Sequence, residues 1–337
     1  MSGETAICTW FVADEAVEAT WFPQVGASSD SPAAQAVYWR CTTCFFASSL
    51  AVNPDARHRL YSNGPVPTVD GIALSPLFAR WGIEVVTVPV HHRLPPGAVG
   101  SWGNQFYVLD VMAHLAADAA IERAIVLDSD CLWLRPVDEM AAAIDAHGAL
   151  TYLLGADAYA ADQPINGLTR AQMARFLTDA GGPDLPAIPY YGGEIYAATR
   201  AVSRRLVERA ETLWSQVLAQ SPDAPREEAH LLSVLYALEG MAPATADRFI
   251  RRMWTAFRHH DLRADDRELT VWHLPVEKRT GFAELFARIV ANPGDPRADA
   301  ARMGLDHASY ARAMGFLRRR PAKLVRDLTA KLKEKVG

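Results

Sequence analysis

The run Ile125-Val-Leu-Asp128-Ser-Asp130-Cys-Leu-Trp-Leu sets two carboxylates two residues apart, directly after an apolar stretch. In extended chain alternate side chains share a face, so Asp128 and Asp130 project together with Ser129 opposite. Two carboxylates at the end of a buried strand are costly unless something cationic neutralises them. A hard divalent ion, Mg²⁺ or Mn²⁺, bound through carboxylates and phosphate oxygens meets that need. The plainer alternative is an exposed loop with two acids, and the apolar residues on both sides argue against it.

Three later segments carry groups of similar interest. His273 lies in Val271-Trp-His-Leu-Pro-Val-Glu-Lys278. A lone strand histidine is commonly structural; as a ligand, neutral imidazole would suit Mn²⁺ better than Mg²⁺. Lys278 is one of five lysines, and the other four fall at 323, 331, 333 and 335, so it stands alone in a body that otherwise uses Arg. Glu227 and Glu228 open a helical pattern, where the helix dipole favours acids regardless of function. Gly192-Gly193, inside Tyr190-Tyr-Gly-Gly-Glu-Ile-Tyr196, reads as a tight turn or as room for a ligand. Cys41 and Cys44 form a CxxC without a second pair, and helical spacing puts both on one buried face.

Positioning these groups requires a scaffold, and the first 135 residues alternate strand and helix. Residues 5–12, 57–62, 84–90 and 124–127 read as strands, and 35–52, 71–81 and 104–117 as helices. That alternation means βαβ units and a parallel sheet covered on both faces, with ligands beyond the carboxyl ends of the strands. Strands follow near 150–154, 194–197, 249–257 and 269–274, and helices over 201–219 and 226–238.

A strand ending in DxD after a βαβαβ half resembles the nucleotide-sugar-dependent glycosyltransferases of the GT-A fold. The segment from Tyr190 to Tyr196 resembles a strand-turn of retaining galactosyltransferases, where Gly192 and Gly193 would make room for the donor sugar. Glu227-Glu228-Ala-His230 resembles the acidic helix start of the blood-group-type transferases, which implies a catalytic carboxylate at Glu228. The Trp272-His273 to Lys278 stretch resembles the glycogenin and lipopolysaccharide galactosyltransferase family. There the His is a metal ligand beside the two Asp, and the Lys touches the diphosphate. The resemblance covers about residues 5–282. It implies donor contacts at Thr9, Trp10, Phe11, Val12, Asn104, Gln105 and Ser129, a UDP-sugar donor, a hydroxyl acceptor and retention of anomeric configuration. The remaining histidines, including His91-His92 and His259-His260, read as surface.

Composition bounds the alternatives. The chain has 337 residues, 50% hydrophobic, with a formal net charge of −5. The stretch 318–337 holds eight Lys/Arg against two Asp/Glu, a net +6, which leaves −11 on the rest and argues against a nucleic-acid partner. Four Cys fit a reducing cytoplasm, and neither a secretory signal nor a spanning apolar run is evident. The expected division is a GT-A domain over 1–284 and a helical extension over 285–337. In its tail, Leu324, Leu328, Leu332 and Val336 recur every four residues among basic ones, a stripe that would lie on an anionic membrane or pack on the acidic body. No phosphate loop, GxGxxG or GxSxG is present. A sugar-1-phosphate nucleotidyltransferase would need a Gly-rich basic loop where this chain has Ala13-Asp-Glu-Ala-Val-Glu. A non-catalytic nucleotide-sugar or partner-binding protein of the same fold is the third reading.

Overall fold

The computed structural model describes residues 3–154, 159–256, 261–316, 325, 328 and 329. Most of the basic tail and His259-His260 lie outside them. The centre is a seven-stranded mixed sheet in the spatial order Ala244–Thr245, Ala149–Leu154, Tyr190–Thr199, Ile121–Leu127, Glu4–Phe11, Arg57–Ser62, Glu84–Thr87. The last four pair parallel to one another, whereas Tyr190–Thr199 runs antiparallel to both its neighbours. With helices on both faces, this is the mixed, mostly parallel α/β arrangement that the GT-A resemblance implies.

Parallel strands need crossovers, and each crossover buries one sheet face. The first crossover is the helix Pro32–Val52, started by Ser31, whose hydroxyl accepts from Ala34 N–H, and by Pro32 in the first turn. It is buried along most of its length, Cys41 and Cys44 included, because it is enclosed by the sheet and by the helices Gly281–Ala291 and Pro296–Met303. The Cys44 thiol meets the Phe282 carbonyl at 3.6 Å. Residue 284, the expected domain boundary, lies inside Gly281–Ala291. Phe282, Leu285, Ile289, Tyr310 and Phe316 share one core with Phe45 and Phe46.

A three-stranded sheet aligns distant segments. Cys131–Trp133 pairs antiparallel with Val271–His273, which pairs parallel with Ile250–Arg252. Its register sets His273 opposite Cys131 and Arg252 beside His273, and Leu274 N–H bonds the Asp130 carbonyl at 3.0 Å.

Several sequence expectations change in detail. The helix expected over 71–81 begins only at Leu74, because Asp70 and Gly71 take positive φ in the turn of a two-residue hairpin. The helix expected from 104 starts at Tyr107, and the strand expected over 249–257 is Ile250–Arg252. Gly192-Gly193 is no turn: both lie within the ten-residue strand Tyr190–Thr199. Nor is His92 on the surface. It is 4% exposed, with Nδ1 2.7 Å from Asp110 Oδ1 and its ring edge-on to Trp214. His58 and His230 are also buried. Asp110 Oδ2 further accepts the backbone N–H groups of His91 and His92. Removing this acceptor leaves the buried His92 N–H and ring nitrogen unmatched and frees the His91 N–H, so Asp110→Ala is expected to cost about 2–3 kcal/mol of stability in denaturant titrations.

Candidate active site

Beyond the carboxyl ends of Glu4–Phe11 and Ile121–Leu127 lies a cleft of about 360 Å³. Its wall includes the turn after Ile121–Leu127. The Asp128 N–H bonds the Glu194 carbonyl at 3.1 Å, and the chain then turns before Cys131. Asp128 and Asp130 face the same way because of this turn, rather than by strand alternation. His273 completes the group: its Nε2 lies 3.5 Å from Asp128 Oδ2 and 3.3 Å from Asp130 Oδ2. One donor atom from each of the three residues falls within 4.8 Å of the others.

These atoms are short of partners. Asp130 Oδ1 and both ring nitrogens of His273 are inaccessible and lack a hydrogen bond. Buried polar atoms are normally paired, so Asp130 Oδ1 and His273 Nε2, orphaned in one group with Asp128, make a position that could hold a metal ion, while Nδ1 faces Glu194. Two carboxylates and an imidazole form a mixed oxygen and nitrogen donor set of the kind that divalent ions take. The Asp128 side chain is part-exposed to the cleft, yet desolvation by the surrounding cleft walls and the neighbouring Asp130 charge push its carboxyl up to about 6. Burial acts the same way on Asp130, but Lys278 and His273 outweigh it and hold Asp130 well below the usual range. Lys278 Nζ bonds Asp130 Oδ2 directly, and the ammonium lies 5.3 Å from the Tyr38 ring centroid.

Glu194 stands behind His273, Oε1 to Nδ1 at 3.9 Å, and is clamped by Arg252 through contacts of 3.1 and 2.8 Å. Glu228 begins the helix Glu228–Leu238 and turns its carboxyl into the cleft wall, where Oε2 has no partner. Burial lifts its pKa well above the carboxylate range, with Glu227 and Asp128 adding to the effect. Glu227 accepts from Tyr190 Oη at 2.7 Å and from Asn166 Nδ2 at 2.8 Å, and burial pushes it up to about 7 against those two bonds. Asn166 and Gly167 both have positive φ, closing a tight turn between Ile165 and Leu168. Burial lowers His230 to about 4, so its ring is neutral. It spans from the Arg226 N–H to the Ile165 carbonyl and ties that turn to the helix start.

Most of the expected donor contacts line this cleft: Trp10, Phe11, Val12, Asn104, Gln105, Asp128, Ser129, Gly193 and Lys278, with Glu228, Asp130 and His273 beside them. Two do not. Thr9 is fully buried and spends its hydroxyl on the Leu127 carbonyl at 2.8 Å, because alternation turns it to the interior face. A Cβ on Gly192 would meet the Glu194 carboxylate, so that glycine makes room for Glu194. On Gly193 a Cβ would overlap Glu228 Oε1. Gly193→Ala is therefore expected to displace the Glu228 carboxyl. Misplacement by about 1 Å costs about a hundredfold in rate, and the test is turnover compared with an unchanged thermal melt.

Sequence reasoning missed Asp14, Asn166, Arg252 and Tyr38 as cleft residues. Asp14 accepts from Asn104 Nδ2 at 2.5 Å and from the Ser29 hydroxyl. The Asn166-Gly167 dipeptide is a turn signal that would have flagged its loop. Arg252 and Tyr38 carry no local signature.

The chain matches no protein-family model and no curated protein. Among solved structures it is similar to the crystal structure of an active-site mutant of LgtC, at 14% identity and a TM-score of 0.48, over 88% of this chain and 99% of that one. No helix among the described residues is long and apolar enough to cross a membrane.

Proposed function

We propose that the protein is a metal-dependent glycosyltransferase that moves a sugar from a nucleoside diphosphate, UDP by the resemblance, to a hydroxyl acceptor with retention. The observation that carries this reading is the convergence of Asp128, Asp130 and His273, with their orphaned atoms, in a cleft that also holds the Glu228 carboxyl with its unpartnered Oε2. Asp128, Asp130 and His273 would hold Mn²⁺ or Mg²⁺. When bound, the ion supplies Lewis-acid neutralisation of the charge that builds on a leaving diphosphate.

The chain's own groups do the remaining work. Lys278 offers a second, buried positive charge at the same place, which stabilises developing negative charge without solvent reorganisation. Trp10, Phe11, Phe22, Tyr38 and Trp102 give the cleft flat apolar walls on which a base can stack, and Asp14 and Asn104 add a paired acceptor and amide. Asn166 and Tyr190, held by Glu227, present polar groups to a sugar. Glu228, seated under Gly193, would act in its ionised form, as nucleophile or as the carboxylate that stabilises positive charge at the anomeric carbon; burial keeps the resting group protonated, and positive charge developing beside it favours loss of that proton.

The test is nucleoside diphosphate release from a panel of nucleotide sugars, with Mn²⁺ and with a chelator. Metal-dependent release for at least one donor is the expected result, and none for any donor would remove the proposal. The anomeric coupling constant of a product then decides retention.

A further inference from the structure

We propose that Lys278 competes with the metal ion for Asp130, so that this one side chain couples cation binding to diphosphate binding. The inference rests on the metal-dependent reading above and deepens it. Lys278 Nζ bonds Asp130 Oδ2, the oxygen that also lies 3.3 Å from His273 Nε2. A protein-borne cation thus already occupies one corner of the Asp128–Asp130–His273 group. The ammonium is no surface charge that can drift into water, since Lys278 is 5% exposed and its Nζ sits over the Tyr38 ring.

A divalent ion on Asp130, through the orphaned Oδ1 or through Oδ2, puts a second cation on the carboxylate that holds the ammonium, and repulsion between the two loosens or displaces Lys278. A buried ammonium without an anion is costly, so the metal alone pays that cost on entry. The oxygens of a diphosphate supply the missing anion, and the lysine then changes partner rather than losing one. Metal and diphosphate should therefore each strengthen the binding of the other, and by equal factors. The fold supports such an exchange. Lys278 follows the short helix Pro275–Glu277, five residues past His273, so ligand and competitor are carried by one short segment.

The test uses the full chain and reads binding instead of turnover. Mn²⁺ is titrated into wild type, Lys278→Met and Lys278→Gln while the free-ion electron paramagnetic resonance signal is followed. Circular dichroism confirms the fold; the Gln variant keeps a hydrogen-bond donor for Asp130 if Met is poorly tolerated. UDP affinity is then measured calorimetrically with and without Mn²⁺. Both variants are expected to bind Mn²⁺ alone about tenfold more tightly than wild type, a typical coupling factor, and to lose most of the Mn²⁺-induced gain in UDP affinity. Folded variants with equal or weaker Mn²⁺ affinity overturn the competition while leaving the metal site intact. Absence of Mn²⁺ binding by wild type, with and without UDP, overturns the competition and the metal-dependent reading together.

Discussion

Asp128→Asn is expected to abolish metal-dependent nucleoside diphosphate release from a folded protein, whereas Asp130→Ala is expected to abolish release and also weaken the fold. The two carboxylates share one motif but not one environment. The Asp128 side chain is 39% accessible and its near neighbour is His273 at 3.5 Å, so losing its charge leaves no buried ion behind. Asp130 is 1% accessible and bonds Lys278, itself buried. Truncating Asp130 strands that ammonium, and breaking a buried pair from one side costs about 3–5 kcal/mol. In activity both changes remove charge from the cation position, and loss of such electrostatic stabilisation is worth about a hundred- to a thousandfold. Turnover and denaturant midpoint, measured on both variants, separate the roles. Equal stability loss in the two would contradict the asymmetry in burial.

That asymmetry shows where sequence reasoning reaches and where it stops. Asp128 and Asp130 are near neighbours in the chain, so their common direction is legible from spacing, although a turn rather than an extended strand produces it. His273 joins them from far along the chain because Val271–His273 pairs with Cys131–Trp133, and family resemblance alone pointed to it. Arg252 was missed because its place depends on a second register, Arg252 beside His273, and on Glu194 of the large sheet lying within its reach. Asp14 and Asn104 meet across 90 positions of sequence. Glu4–Phe11 and Ile121–Leu127 were legible because they are buried on both faces and read as apolar runs, whereas Arg57–Ser62 and the exposed edge strand Glu84–Thr87 show through alternation and β-branched residues. Boundaries shifted wherever a polar turn sits beside an element, as at Asp70-Gly71. His92 was misread because a histidine paired with a distant buried acid leaves no local mark.

Glu228→Gln is expected to make the protein more stable and the enzyme nearly inactive. The stability half follows from linkage. Burial holds the native Glu228 pKa well above the ordinary carboxyl value of about 4.3. Below that value both the unfolded and the native chain keep the proton, and the residue has no pH-dependent effect. As pH rises above it, the unfolded chain ionises while the native chain does not, so native stability falls by up to about 1.4 kcal/mol per pH unit until the native carboxyl ionises too. A neutral glutamine removes that loss. The melting temperature of the variant should therefore match wild type near pH 4 and exceed it increasingly as pH rises, until the native carboxyl ionises. An ordinary helix-start acid predicts the opposite, because losing its charge beside the dipole weakens the helix by about 0.3–1 kcal/mol. The activity half follows from chemistry, since an amide can neither attack an anomeric carbon nor balance a full positive charge there. A fall in turnover of about a hundredfold or more is expected. Stability gained and rate lost at one position is what an active-site group held against its own solvation produces. A variant that gained stability but kept its rate would place the catalytic carboxylate elsewhere in the cleft, with Glu227 the next candidate.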